Sequence, residues 1–289
     1  MRAAVSQDEG WLHTRDGLRL FWRRWLPDAP QAVMLVVHGL GEHSGRYLHV
    51  ASYFAERGFA VLALDYRGHG RSDGPRVHVN RFDDFVEDLS LLRTKALVDH
   101  PSLPLLLVGH SQGGLIVIRS ALQAPEALAG AIVSSPLLGV HPSSRPGRLL
   151  AAASRALSVV APALRLSNNV DARLVSRDPA VVEAYRRDPL VSHRVSSRWF
   201  TSLLEAIEDT FQAAPSLRVP LLLMSSGDDR LVDSDAAARW ASLAPSGLVE
   251  SVRWEGLYHE MFNEPEQAAV FRRMESWWQL RSATPAAIR

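Results

Sequence analysis

The chain has 289 residues, 47% of them hydrophobic, and a formal net charge of +1. That length suits one core with a sizeable insertion, and the apolar content excludes a disordered chain. The near-neutral balance offers no dense basic face for nucleic acid, and the lack of cysteine excludes disulfides, thiolate metal sites and a cysteine nucleophile.

The N-terminal stretch "MRAAVSQDEGWLHTRDG" has early acids and no apolar run, so no secretory signal is expected and the cytoplasm is the default location. Residues around Gly10–Arg15 and Leu18–Leu26 read as an antiparallel hairpin, with Asp16-Gly17 as the turn signal. Strands and helices then alternate. "AVMLVVHG" predicts a buried strand, and "RYLHVASYFAERG" a helix closed by Gly58. "FAVLALDY" is the next strand and "RFDDFVEDLSLLRTKALVDH" the next helix. "LPLLLVGHS", "GGLIVIRSALQ" and "AGAIVSSP" follow as strand, helix and strand.

From about Leu137 to Arg218 the pattern breaks into helices and loops with no strong strand. It resumes with "PLLLMSSGDD" as strand, "SDAAARWASLA" as helix, "LVESVRWEG" as strand and "EPEQAAVFRRMESWWQL" as helix. "RSATPAAIR" reads as a loose tail. The parallel strands from "AVMLVVHG" to "AGAIVSSP" are continuous apolar runs, as expected for strands covered on both faces. The expected fold is therefore α/β, a mostly parallel sheet with an N-terminal antiparallel hairpin and helices on both faces. Residues 1–136 and 219–289 form the core, and 137–218 an inserted helical cap. No stretch reaches the ~20 apolar residues of a membrane span.

Nucleophilic chemistry falls to Ser, Thr, Asp, Glu or His, since Lys95 is the sole lysine. "GHSQG" at Gly109–Gly113 fits G-x-S-x-G, a strained strand-to-helix turn in which glycines two before and two after the serine let the turn close. The five letters alone also fit an ordinary tight turn. Their place between a strand and a helix makes Ser111 the candidate nucleophile. Serine needs a base and the base an orienter, in the chain order Ser, Asp or Glu, His for such a sheet. "GDDRLVD" offers Asp229, just past its strand, with Asp228 as the close rival. Asp233 suits the cap of the next helix. His259 lies between the last strand and the last helix, 30 residues after Asp229. His110 is expected to point away from the serine.

A tetrahedral intermediate needs hydrogen-bond donors for its oxyanion. The backbone N–H of Gln112 follows the nucleophile. That of Leu40, between Gly39 and Gly41 in the turn after the first parallel strand, is the second. Glu42 and Arg46 continue this loop. They can meet a hydroxylated leaving group, or simply pair with each other at i, i+4.

Together "HGLGEHSGRY", "LDYRGHGRSDGPR", "DFVEDL", "GHSQGG", "DARLVSRDPAVVEAYRRDPLV", "GDDRLVD" and "YHEMFNEP" resemble the monoacylglycerol lipase family of serine hydrolases, lysophospholipase-like relatives included. The resemblance spans most of the chain. It implies an α/β-hydrolase core, a helical cap lining an acyl channel and a Ser111–Asp229–His259 triad. It favours Asp229 over Asp228, assigns the oxyanion hole to Leu40 and Gln112, and tips Glu42 and Arg46 toward glycerol-side contacts. Gln112 stands where the family often has Met. Phe262 stands where some members have a second histidine that helps bind the glycerol head group.

In the cap, Arg148 to Leu166 has apolar residues at Leu149, Ala153, Ala156, Leu157, Val160 and Leu164, which approximates one helical face, with Pro162 expected to break or kink it. No Asp or Glu lies between Glu126 and Asp171, whereas Arg145, Arg148, Arg155 and Arg165 do. This face either covers the core or settles transiently on an anionic lipid surface. The expectation is a cofactor-free serine ester hydrolase acting on a lipid ester, with no metal and no obligate protein partner. Monoacylglycerols are the first substrate choice, and lysophospholipids or a broad ester range the alternative. A non-catalytic ligand receptor of the same fold is the alternative of another class.

Overall fold

The computed structural model describes residues 5–144, 155–168 and 170–282. An eight-stranded sheet runs through it in the order β1-β2-β4-β3-β5-β6-β9-β10. Strands β1 (Val5–His13) and β2 (Arg19–Pro27) form an antiparallel hairpin. Its turn closes through Gly17, whose φ of 86° suits glycine. β2 joins β4 (Phe59–Leu64) antiparallel. From β4 onward the neighbours are parallel: β3 (Ala32–Val37), β5 (Leu105–His110), β6 (Leu128–Ser134), β9 (Leu221–Ser226) and β10 (Val249–Trp254).

The continuous apolar runs have a direct cause. In β3, Val33, Leu35 and Val37 enter one hydrophobic core while Met34 and Val36 enter another on the opposite face. Both faces of the strand are buried, so alternation has no polar partner to show. Helices α2 (Asp83–Asp99) and α3 (Gln112–Gln123) cover the first face, with Phe85, Leu89 and Leu115 among the packed residues. Helix α1 (Leu48–Ala55) covers the second, joined there by the C-terminal helix of Gln267–Ser282 through Phe271, Met274 and Trp277. The tail expected at 281–289 falls outside the described residues beyond 282.

Between β6 and β9 the chain leaves the sheet. Residues 155–160 are helical, and a turn at Pro162 ends that helix. The apolar face expected over Arg148–Leu166 therefore stops short, and its part from Arg148 to residue 154, like Arg145, lies outside the described residues. Beyond that helix, strands β7 (Arg165–Ser167) and β8 (Arg194–Ser196) pair antiparallel in the stretch expected to hold helices and loops with no strong strand. Each has three residues, too few for periodicity to register. Helices α4 (Pro179–Arg187) and α5 (Ser197–Ala213) lie in the same segment, and both are capped at their N-termini, by Asp178 and Ser196. A small core of its own gathers Ala172, Val175, Val182, Tyr185 and Val191. Helix α6 (Ser234–Leu243) then follows β9, and α7 (Gln267–Ser282) closes the chain. No helix of the described residues is long and apolar enough to cross a membrane.

Candidate active site

Parallel strands end on the same edge of a sheet, so the loops after β3, β5, β9 and β10 converge. Ser111 sits between β5 and α3 at φ 52°, ψ −118°, a conformation that costs a non-glycine residue roughly 1–3 kcal/mol. The glycines make the corner possible. A Cβ at Gly109 would strike the carbonyl of Gly113, and one at Gly113 would strike those of Val37 and His38. Serine at a helix N-cap ordinarily bonds the first turn, but Ser111 makes no such capping bond. Its hydroxyl is left for another partner.

That partner is His259. Nε2 lies 2.9 Å from Ser111 Oγ, and Nδ1 lies 2.8 Å from Asp229 Oδ2. An ionised carboxylate only accepts, so Nδ1–H donates to Asp229 and the bare Nε2 accepts from the serine hydroxyl. Asp229 Oδ1 accepts from the backbone N–H groups of Leu231 and Val232 at 2.9 and 3.0 Å. Burial opposes the Asp229 charge, yet His259 and these donors outweigh it and its pKa is lowered. For His259 burial again opposes the charge, and Asp229 outweighs it, so its pKa is raised above the ordinary histidine value. Asp228, the rival, is exposed. Asp233 caps α6, accepting from the N–H groups of Asp235 and Ala236.

His110 does not turn away from this cluster. Its ring centre lies 4.7 Å from that of His259 and it lines the same cavity. Burial, then the neighbouring His259, holds it neutral with a pKa of about 4.

Leu40 and Gly39 border the cavity beside Ser111. Gly39 N–H donates to Glu42 Oε1 at 2.6 Å, and Tyr47 OH donates to the same oxygen at 2.7 Å. Glu42 Oε2 accepts from Arg46, whose guanidinium also grips Glu260 with two bonds of 2.7 Å. Arg46 lies under the Tyr185 ring, 4.9 Å from its centre. Glu42 and Arg46 thus pair, and Glu42 borders the cavity with Glu260 and Tyr185. Burial opposes the Glu42 charge, but Arg46 prevails and its pKa is lowered. Phe262 does not reach the cavity. It is buried against Tyr47, His110 and Phe271.

The cavity has a volume of about 650 Å³. Its walls are mostly apolar: Leu137, Val140, Val195, Phe200, Leu203 and Val232 are among them. Glu260, Tyr185 and Trp199 were not anticipated from the sequence. Glu260 had one available signal, its place next to His259. Tyr185 lies in the stretch 171–191 that carries part of the family resemblance, and nothing in the local pattern marks Trp199. Among the described residues, no group of histidines and carboxylates could hold a metal ion.

The profile of the family described as "Serine aminopeptidase, S33" matches residues 28–266. The monoacylglycerol lipase of Mycolicibacterium smegmatis is 39% identical over 263 residues, covering 90% of this chain and 93% of its own. Phospholipase YtpA of Bacillus subtilis is 36% identical, over 86% of this chain and 95% of its own. The crystal structure of Paleococcus ferrophilus monoacylglycerol lipase superposes with a TM-score of 0.78 at 29% identity, over 96% of this chain and 99% of that one.

Proposed function

We infer the activity of this chain from its kinship: it belongs to the hydrolase family described as Serine aminopeptidase, S33, and within it to the monoacylglycerol lipases. It is an ester hydrolase that cleaves monoacylglycerols to fatty acid and glycerol. The observation that carries this reading is the continuous hydrogen-bond chain from Ser111 through His259 to Asp229 on the wall of an apolar cavity.

On our reading Ser111 is the nucleophile. As its Oγ attacks the acyl carbonyl, its proton passes to His259 Nε2 and the carbonyl electrons move onto oxygen. The N–H groups of Leu40 and Gln112 stabilise that oxyanion, each contributing about 3–4 kcal/mol in sites of this kind. The imidazolium formed is stabilised by Asp229, which also fixes the tautomer. The tetrahedral centre collapses, and His259 gives its proton to the departing glycerol oxygen. Water repeats both steps on the acyl-enzyme and releases the fatty acid. We assign residues 137–218 as a cap that walls the acyl channel. Glu42 and Glu260 are the groups that face the glycerol hydroxyls, and Arg46 acts by holding both carboxylates.

A second substrate reading, lysophospholipids, draws on the likeness to a phospholipase. Charge argues for the first. Two carboxylates around one guanidinium leave that wall net negative, which disfavours a phosphodiester and accepts an uncharged glycerol. Catalytic efficiency on monoacylglycerols, lysophospholipids and p-nitrophenyl esters, with Ser111→Ala as blank, tests both. Monoacylglycerols should rank first. A higher kcat/KM on lysophospholipid overturns the substrate choice, and activity retained without the serine overturns the mechanism.

We also propose transient contact with lipid through residues 155–168. Val159 and Val160 are each 79% exposed, and Leu164 and Leu166 are exposed beside Arg155 and Arg165. Leu166 also borders the cavity, so this arm reaches from the exposed surface to the cavity wall. Co-sedimentation should favour anionic over zwitterionic vesicles, and equal binding to both would end the idea.

A further inference from the structure

Gln112 is fully buried, yet its side chain plays no part in the chemistry above. Both ends of its amide are engaged. Trp199 Nε1, on α5, donates to Gln112 Oε1 at 2.8 Å. Gln112 Nε2 donates to Tyr66 OH at 3.1 Å. Tyr66 OH in turn lies 2.7 Å from the carbonyl oxygen of Gly39 and 3.2 Å from that of His38.

The direction of this chain is fixed by its first member. An indole N–H can only donate, so the glutamine oxygen must face Trp199 and the NH₂ must face Tyr66. The phenol oxygen then accepts there, and its one proton points to the Gly39 carbonyl. Burial keeps Tyr66 protonated, so the donor persists. The Gly39 oxygen and the Leu40 N–H are opposite ends of one planar peptide. A donor on that oxygen fixes the direction in which the N–H points. It also polarises the amide and strengthens the N–H as a donor. His38 Nδ1, 2.9 Å from the same oxygen, and Glu42, which receives the preceding N–H, complete the hold.

We propose that Trp199, Gln112 and Tyr66 form a one-way hydrogen-bond relay that orients the Gly39–Leu40 peptide, so that oxyanion stabilisation depends on the seating of helix α5. All three are positioning residues. The proposal rests on the assignment of Leu40 N–H as an oxyanion donor. It also gives a reason for Gln112: a methionine there could neither receive the indole proton nor pass one to Tyr66.

Three readouts distinguish this from ordinary packing. A soluble p-nitrophenyl ester is compared with its thionoester, whose sulfur accepts hydrogen bonds poorly and gains little from the oxyanion donors. A trifluoromethyl ketone, which Ser111 converts to a hemiketal oxyanion, reports the donors at equilibrium. Tyr66→Phe should lower kcat on the ester by about tenfold, a fraction of what a whole donor contributes. KM and thionoester turnover should change by less than about twofold, and inhibition by the ketone should weaken about tenfold. Gln112→Met and Trp199→Phe should shift the same readouts by about threefold. Combined with Tyr66→Phe they should add nothing, as members of one path. Equal losses on ester and thionoester, or a lowered melting temperature with kcat intact, would overturn the relay. If the unaltered enzyme itself failed to distinguish ester from thionoester, the assignment of the oxyanion donors would fall instead.

Discussion

The loops at the carboxyl edge of the sheet and the segment between β6 and β9 are built on different physics. The loops after β3, β5 and β9 hang from strands buried on both faces, and short bonds join Ser111, His259 and Asp229 across the sheet edge. The segment has three-residue strands, short helices and a small core of its own. Polar contacts join it to the loops. Ser192 N–H donates to Gly41 O at 2.6 Å, and His43 Nε2 lies 2.8 Å from Asp188. Gly45 N–H donates to the other ring nitrogen of His43, so Nε2 carries the proton and donates to Asp188. On the proposed mechanism the sheet edge supplies the chemistry and the segment supplies walls, whose seating reaches that edge through contacts such as these and through Trp199, which donates to Gln112.

The largest effects should therefore come from the sheet edge. Ser111→Ala should lower kcat by about 10⁴–10⁶-fold. Asp229→Asn should lower it by about 10³–10⁴-fold, because the imidazole loses its fixed tautomer and the stabiliser of its protonated form. Both are read with a soluble ester, which removes any lipid-surface contribution. If a substitution confined to the segment matched these losses, the division of labour would be broken.

The pH profile sharpens the same point. In the proposed mechanism His259 must be neutral to accept the serine proton, and Asp229, outweighing burial, raises its pKa, so kcat/KM should rise with pH to a midpoint above the ordinary histidine value of about 6.5. Glu260 and Glu42 act in the same direction as Asp229. In Asp229→Asn burial is opposed by less charge, and the midpoint should move down. The sign for stability is separate. A raised His259 pKa contributes stability that is complete below the unfolded-state value and is lost as pH rises through the folded one. The lowered Asp229 pKa contributes stability present above its unfolded-state value and lost as pH falls. A midpoint that does not move in the variant would show that Asp229 does not set the charge of the base.

How much of this was legible in the sequence follows the same division. Gly109, Ser111 and Gly113 could be read because a strand-to-helix corner tolerates no side chain, a local demand with a local signature. His259 could be read from chain order. Asp229 was the choice by its place past the strand, but Asp228, one position off, stayed a close rival. Burial and the two N–H groups that reach Asp229 distinguish them, and both depend on the folded loop. Glu260 holds Arg46 from 214 residues away, and Trp199 meets Gln112 from 87, so neither pairing has a local trace. The β7–β8 ribbon was missed because its residues are mostly exposed or polar and its pairing partner lies beyond a helix.

An intermediate effect is expected where the two regions touch. Gly41 has φ 71°, and a Cβ there would run into the carbonyl oxygen of Ser192. Gly41→Ala adds left-handed strain and forces the segment away from the Gly39–Gly41 turn. It should destabilise the protein by about 1–3 kcal/mol, or roughly 2–10 °C in melting temperature. Calorimetry checks it. An unchanged melting temperature would mean that the segment yields freely at this contact, and the picture of a pinned wall would fail.

The smallest effect on the folded enzyme should come from the exposed arm. Val159 and Val160 are far from close packing, and replacing both with Asn should change stability by less than about 1 kcal/mol in total. Turnover of a soluble ester should be unaltered, since neither residue borders the cavity. Binding to anionic vesicles should nevertheless weaken by about tenfold or more, because each valine buried in a lipid interface contributes on the order of 1 kcal/mol or more. That combination separates the arm from the remainder of the segment. Substitutions at Gly41 act through the fold, whereas those at Val159 and Val160 act only where a lipid surface is present. A loss of soluble-ester turnover in the double variant would join the arm to the catalytic wall, and unchanged vesicle binding would leave its exposed apolar residues without the role assigned to them.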